Sequence, residues 1–202
     1  MSRTSRSVHL PNFVDADTLK VFKDTIKPDM WQDATSVADI KGYSSTGKCY
    51  NLRQYIHLKT HSQSAHDKLY SKLFNIVKGI NEDHWNFDIK SFDNNDSVHY
   101  VLYKGDKNHH FDWHRDDLVS FDKGKRSYGP TAARKLTIMV CLSNSNDYAG
   151  GEFQVDAEYN GGTRPGLGDV IVWPGYVRHR CTPVTSGERL VLVGFVPGPN
   201  FV

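Results

Sequence analysis

Two short segments hold the residues with the clearest capacity for chemistry. His114 and Asp116 stand two apart in Phe111-Asp112-Trp113-His114-Arg115-Asp116, and His179 stands in Val177-Arg178-His179-Arg180. Two imidazoles and one carboxylate can hold Fe(II) on one face and leave the opposite positions open to oxygen and a co-substrate. Extended backbone sends residues i and i+2 to the same side, so His114 and Asp116 can reach one ion. A lone His-x-Asp pair is common on surfaces, and a lone histidine says little. Arg189 adds weight. It follows His179 by ten residues, across the turn Thr182-Pro183-Val184-Thr185-Ser186-Gly187, which puts it on the adjacent strand. Regular alternation gives it the face of Val191, Val193 and Phe195. A guanidinium buried there needs a partner or a bound anion. Either a local Asp or Glu pairs with it, or the far carboxylate of a dicarboxylic acid does so through a bidentate fork.

The elements that must position these residues can be read from hydrophobic periodicity. After residue 90 the chain is a series of short apolar runs: Val98–Tyr103, Leu136–Leu142, Gly151–Val155, Asp169–Trp173 and Leu190–Val196. Turns rich in Gly, Asn and Pro separate them, which predicts an antiparallel sandwich or barrel. Trp85–Ile89 also alternates and reads as a strand. Before residue 84 the pattern is helical. Asp15 or Asp17 caps a helix to about residue 25 with Leu19, Phe22 and Ile26 as its apolar stripe. A longer helix runs from Ser64 to Asn81 on Leu69, Leu73, Ile76, Val77 and Ile80. Residues 1–12 read as a loose arm, with short extended pieces within 31–40 and 49–55. The expected fold is α+β: one domain over 1–202, with a mainly helical support region (1–84) packed on a double-stranded β-helix, or jelly roll (85–202). Residues 118–135 carry five basic residues, two glycines and a proline, and read either as a substrate lid or as a solvated loop.

Composition narrows the function classes. Lys and Arg number 25 against 23 Asp and Glu, a net charge of +2 that gives no bulk electrostatic case for nucleic-acid binding. No apolar run approaches the length of a membrane span. The basic N-terminus lacks the apolar stretch of a secretory signal. Cys49, Cys141 and Cys181 form no paired framework, which fits a reducing cytoplasm and buried thiols.

Longer stretches carry a resemblance. Tyr103 precedes His114-Arg115-Asp116. Leu136–Ser143, Asp147-Tyr148-Ala149-Gly150-Gly151-Glu152-Phe153, Gly166–Pro174 and His179-Arg180-Cys181-Thr182-Pro183-Val184-Thr185-Ser186-Gly187-Glu188-Arg189 follow in order. Over about residues 100–196 the chain resembles the Fe(II)- and 2-oxoglutarate-dependent dioxygenases, most closely the prolyl 4-hydroxylase-like group with its PKHD-type hydroxylases. The resemblance implies His114, Asp116 and His179 as iron ligands, Arg189 as the anchor of 2-oxoglutarate, and Tyr103 and Thr137 as further residues of the cofactor pocket. It implies oxidative decarboxylation of 2-oxoglutarate to succinate coupled to C–H hydroxylation, with ascorbate as an accessory reductant. A prolyl residue of a peptide or protein is the expected substrate and molecular oxygen the co-substrate. Gly150, Gly151 and Glu152 look structural, and Trp173 reads as a core residue. Three readings stay open: a cupin-like metalloprotein without 2-oxoglutarate, a dioxygenase acting on a nucleic-acid base or small molecule, and a non-catalytic module. Oligomeric state is not encoded in any of these patterns.

Overall fold

The computed structural model describes residues 6–26, 31–33, 54–57, 65–92, 98–117, 132–156, 161–199 and 201. Among these residues the strands and α-helices follow in chain order: β1 (Val8–Leu10), α1 (Ala16–Asp24), β2 (Gln32–Asp33), β3 (Gln54–His57), α2 (Ala65–His84), β4 (His99–Lys104), β5 (Phe111–His114), β6 (Ala132–Cys141), β7 (Tyr148–Gly150), β8 (Phe153–Val155), β9 (Val170–Pro174), β10 (His179–Cys181) and β11 (Val184–Pro199).

The strands form two antiparallel sheets. The larger runs β1-β9-β6-β11-β4-β3-β2, with β7 paired to the start of β11; the smaller runs β5-β10-β8. Strict alternation splits the larger sheet's side chains between two cores. Tyr100, Leu136, Ile138, Val140, Val170, Val172, Leu192 and Val196 face Phe22 of α1 and Leu69, Leu73 and Val77 of α2. Their sequence neighbours Val101, Met139, Cys141, Ile171, Trp173 and Val191 face the smaller sheet, together with Phe153 and Val155. This is the jelly roll with helices on its outer face, and the period-2 pattern is what assigns each side chain to a layer.

Local chemistry sets the helix ends. Asp15 caps α1 by accepting from the Thr18 amide at 2.8 Å. The second helix runs three residues beyond Asn81. Asn81 instead receives the turn that follows: its side chain donates to the Phe87 carbonyl (3.0 Å) and accepts from the Phe87 amide (2.9 Å). Asn86 sits in the left-handed region with φ 51°. These features leave Trp85–Ile89 irregular rather than the expected strand, because its backbone groups are taken by the helix end.

The support region is also less purely helical than expected, since β1, β2 and β3 all join the larger sheet. Residues 8–12 are no loose arm. β1 pairs with β9, and Asp169 fastens it: its carboxylate accepts from the Asn12 amide and the Gly166 amide and bonds His9, each at 2.9 Å. Burial alone would raise the Asp169 carboxyl, but these bonds outweigh it and hold it below its usual value. Residues 118–131 of the suggested lid lie outside the described residues; 132–135 belong to β6.

Candidate metal and co-substrate site

Three strands and one bend converge between the sheets. His114 ends β5, His179 opens β10, and the two pair directly across the strands. Asp116 lies just past β5, where its amide donates to the Gly175 carbonyl at 2.9 Å. Sequence reading placed His114 and Asp116 on one face of a continuing strand; the chain bends there instead and still delivers both. One ligand atom from each of His114, Asp116 and His179 falls within 4.8 Å of the others.

Backbone carbonyls orient both rings. His114 Nδ1 bonds the Asp112 carbonyl at 2.7 Å, and His179 Nδ1 bonds the Val177 carbonyl at 2.9 Å. A carbonyl can only accept, so Nδ1 carries a proton in each ring, and in the neutral form that binds a metal the bare nitrogen is Nε2. Both Nε2 atoms point at Asp116: His114 lies 3.6 Å from Oδ1 and His179 3.5 Å from Oδ2. Asp116 is itself held from behind. Oδ2 accepts the Thr137 hydroxyl at 2.7 Å and the Trp173 indole N–H at 3.1 Å. With Oδ2 doubly bonded, Oδ1 is the oxygen best able to bind an ion. Burial pushes the Asp116 carboxyl up, but attraction to His179, His114 and Arg134 and the bond from Thr137 more than offset this and hold it below the usual carboxylate value. The carboxylate is therefore ionised at neutral pH, as a metal ligand must be.

Arg189 projects from β11 into the same pocket, which the three candidate ligands also line. It is 1% exposed. Its Nη1 meets Cys181 Sγ at 3.5 Å, its Nη2 meets Met139 Sδ at 3.2 Å, and its guanidinium lies 5.3 Å from the Tyr103 ring centroid. Its Nε has no hydrogen-bond partner. Among the described residues no carboxylate stands within ion-pair distance of it, so the local Asp or Glu allowed by the sequence is not found. Burial works against its charge, but the ionisable Cys181, Cys141, Tyr103 and Tyr148 around it hold its pKa above the ordinary value. The result is a fully buried cation whose guanidinium meets sulfur and aromatic side chains and, among the described residues, no carboxylate. The access it needs is provided by Gly151, at φ 62°, where an added Cβ would come within 3.0 Å of Arg189 Cδ and 2.8 Å of Val184 Cγ2.

These observations test the site against an iron ion and 2-oxoglutarate, and both fit. Two imidazoles and one carboxylate suit a ferrous ion. The unpaired guanidinium suits the remote carboxylate of a dicarboxylic acid. Tyr103 lines the pocket. Thr137 does not: it lies behind Asp116 and bonds that carboxylate. Trp173 packs on Phe153 with ring centroids 4.7 Å apart, as a core residue should, but also donates to Asp116. Sequence reading missed this second role, and it missed His99, Phe111 and Phe195, which line the pocket as well.

The 2OG-Fe(II) oxygenase superfamily model matches residues 98–197. A PKHD-type hydroxylase of Prochlorococcus marinus is 27% identical over 169 residues, 83% of this chain and 66% of that protein. Matches to three other PKHD-type hydroxylases reach 35–37% identity but cover 33% of their length or less. The fold is shared with a prolyl-4-hydroxylase of Pseudomonas putida (TM-score 0.67, 16% identity, 96% of this chain and 92% of that one). It is shared also with a Trichoplax adhaerens prolyl hydroxylase solved with a hypoxia inducible factor peptide fragment (TM-score 0.65, 12% identity, 96% and 84%). The domain over residues 98–197 belongs to the 2OG-Fe(II) oxygenase superfamily, whose iron and 2-oxoglutarate are the two groups the site fits.

Proposed function

We propose that this protein is an Fe(II)- and 2-oxoglutarate-dependent hydroxylase acting on a prolyl residue of a peptide or protein. The observation that carries the reading is Arg189, a permanent cation buried in the pocket that also holds His114, Asp116 and His179, with no carboxylate within ion-pair distance of it among the described residues. A cupin-like metalloprotein has no use for such a group. In this reading His114 Nε2, Asp116 Oδ1 and His179 Nε2 hold the iron, Arg189 fixes the far carboxylate of 2-oxoglutarate, and Tyr103 packs beside it. Bound together, the iron and 2-oxoglutarate supply the oxidising power, with decarboxylation to succinate coupled to insertion of an oxygen atom from O2 into a C–H bond. The protein's own residues supply orientation. Thr137 and Trp173 keep Asp116 in one rotamer, and the Asp112 and Val177 carbonyls keep both imidazoles in the ligating tautomer. Phe111, Phe153 and Val193 line the pocket with apolar surface and limit water.

Prolyl specificity draws support from the names of the relatives and fold neighbours, PKHD-type and prolyl hydroxylases, one of them solved with a peptide. A reducing cytoplasmic setting agrees with Cys141 and Cys181, which form no disulfide among the described residues, and ascorbate would serve there as accessory reductant. The test supplies Fe(II), 2-oxoglutarate, oxygen and proline-containing peptides, then follows succinate and peptide mass together. The reading expects succinate in step with the gain of one oxygen atom on proline, and neither product from Asp116→Ala. Succinate formation with no peptide, proline or protein ever modified would refute the substrate assignment.

A further inference from the structure

The edge of the pocket carries a second, unassigned arginine. Arg180 sits on β10 next to His179, is half-buried and lines the same pocket. It is held in place on two sides. Its guanidinium lies 4.7 Å from the Trp113 ring centroid, and its Nε donates to Gln154 Oε1 at 2.7 Å. Gln154 is oriented in turn, because its amide nitrogen donates to Glu152 Oε2 at 3.2 Å and so turns Oε1 toward Arg180. A neutral amide orients the guanidinium without cancelling its charge. Among the described residues neither Nη of Arg180 has a hydrogen-bond partner, and no carboxylate is within ion-pair distance. Arg178, two residues earlier, also lies against Trp113, at 5.2 Å, but it is paired with Asp156 at 3.2 Å. Elsewhere on the pocket Arg134 lies 3.7 Å over the ring of Phe195, another lining residue. Two cations thus sit on aromatic rings beside the pocket, and among the described residues the Nη pair of Arg180 is open.

We infer that Arg180 is a specificity-determining residue that receives a carboxylate of the substrate, the side chain of an Asp or Glu close in sequence to the residue hydroxylated. This rests on the proposed function for the peptide nature of the substrate. A planar guanidinium held through Nε presents both Nη groups to a carboxylate end-on, and stacking on Trp113 removes much of the rotamer freedom that an exposed arginine loses on binding. The Trp113 edge gives a flat apolar wall against which the peptide's neighbouring side chain packs.

The experiment uses the full chain with Mn(II) and 2-oxoglutarate, under conditions without turnover, against an array of proline-containing peptides. Each peptide carries a single Asp or Glu at one position flanking the proline, and each is matched by its Asn or Gln counterpart. A single-stranded oligo-dT forms a separate arm. The expected result is that wild type retains an acidic member about ten- to a hundredfold better than its amide twin, the range of a charge-assisted hydrogen-bonded pair. Arg180→Gln erases that preference, and Arg180→Lys keeps part of it. Arg178→Gln, which removes the same formal charge from an already paired site, leaves most of it. No preference for acidic peptides, an equal preference in Arg180→Gln, retention of no peptide, or Arg180-dependent binding of the oligonucleotide alone would each overturn the inference. Thermal melts of every variant separate lost recognition from lost folding. Binding of 2-oxoglutarate to the Fe(II) protein, read separately, shows whether the proposed function itself has failed.

Discussion

Replacing Thr137 with Val tests the arrangement behind the metal site. The two side chains have nearly the same shape, so the change removes one hydroxyl and little else. That hydroxyl donates at 2.7 Å to Oδ2 of Asp116, a carboxylate only 5% exposed. A hydrogen bond to a buried charge contributes about 1.5–3 kcal/mol. The Trp173 indole still donates to the same oxygen, at 3.1 Å, so the lower end of that range is expected. For a chain of this size about 1.5 kcal/mol corresponds to a fall in Tm of roughly 3–6 °C. The metal should feel the loss as well. Groups that orient a ligand carboxylate typically change metal affinity by about 10- to 100-fold, and the remaining donor again favours the lower figure. The assay is a competitive titration with Mn(II) or Co(II), paired with melts of the metal-free protein, for Thr137→Val, Thr137→Ser and Trp173→Phe. Thr137→Ser keeps the donor and should follow wild type closely. Because Thr137 and Trp173 share one acceptor, the double variant should lose more than the sum of the single variants. Wild-type affinity and Tm in Thr137→Val would refute the claim that this hydroxyl orients Asp116.

Further expectations concern the co-substrate half and the frame. Arg189→Met should abolish 2-oxoglutarate binding by calorimetry while leaving the metal-free protein as stable or more so, since it exchanges an unpaired buried cation for an apolar chain; a large drop in Tm would mean that Arg189 has a structural partner. Gly151→Ala forces a side chain onto a backbone at φ 62° and into Arg189 and Val184, and should cost about 1–3 kcal/mol in denaturant melts together with 2-oxoglutarate affinity. Asp169 has a lowered carboxyl pKa in the fold. Its contribution is therefore fully present above the unfolded value of about 3.9 and is lost as pH falls through the folded value. Melts from neutral to acid pH should show this loss in wild type and a shallower one in Asp169→Asn, which starts about 1–2 kcal/mol lower.

The sequence made the central strands legible because each has one face on the helices and the other on the pocket, and the period-2 pattern records that division. It made His114, Asp116, His179 and Arg189 legible because their residue types are chemically unusual for their positions. It concealed whatever depends on distant pairing. β1 is three residues long, and it is fixed by Asp169 about 160 positions away. β7 is equally short, and its Gly150 at φ 68° breaks any strand pattern. The misread Trp85–Ile89 alternates as a strand would, yet Asn81 takes its backbone groups first. Thr137 did leave a signal: it is a polar residue within an apolar strand, on the pocket-facing parity of Met139 and Cys141. Its partner across the ladder is Trp173, and only the folded chain brings that pair against Asp116.

The most direct test of the account is an anaerobic titration of the protein with Fe(II), with and without 2-oxoglutarate, followed by visible absorption. The account predicts a weak charge-transfer band that needs both additions, is absent in Asp116→Ala, and is lost in Arg189→Met at 2-oxoglutarate concentrations that saturate wild type. Tight Fe(II) binding with no spectral response to 2-oxoglutarate, or an unchanged response in Arg189→Met, would contradict it.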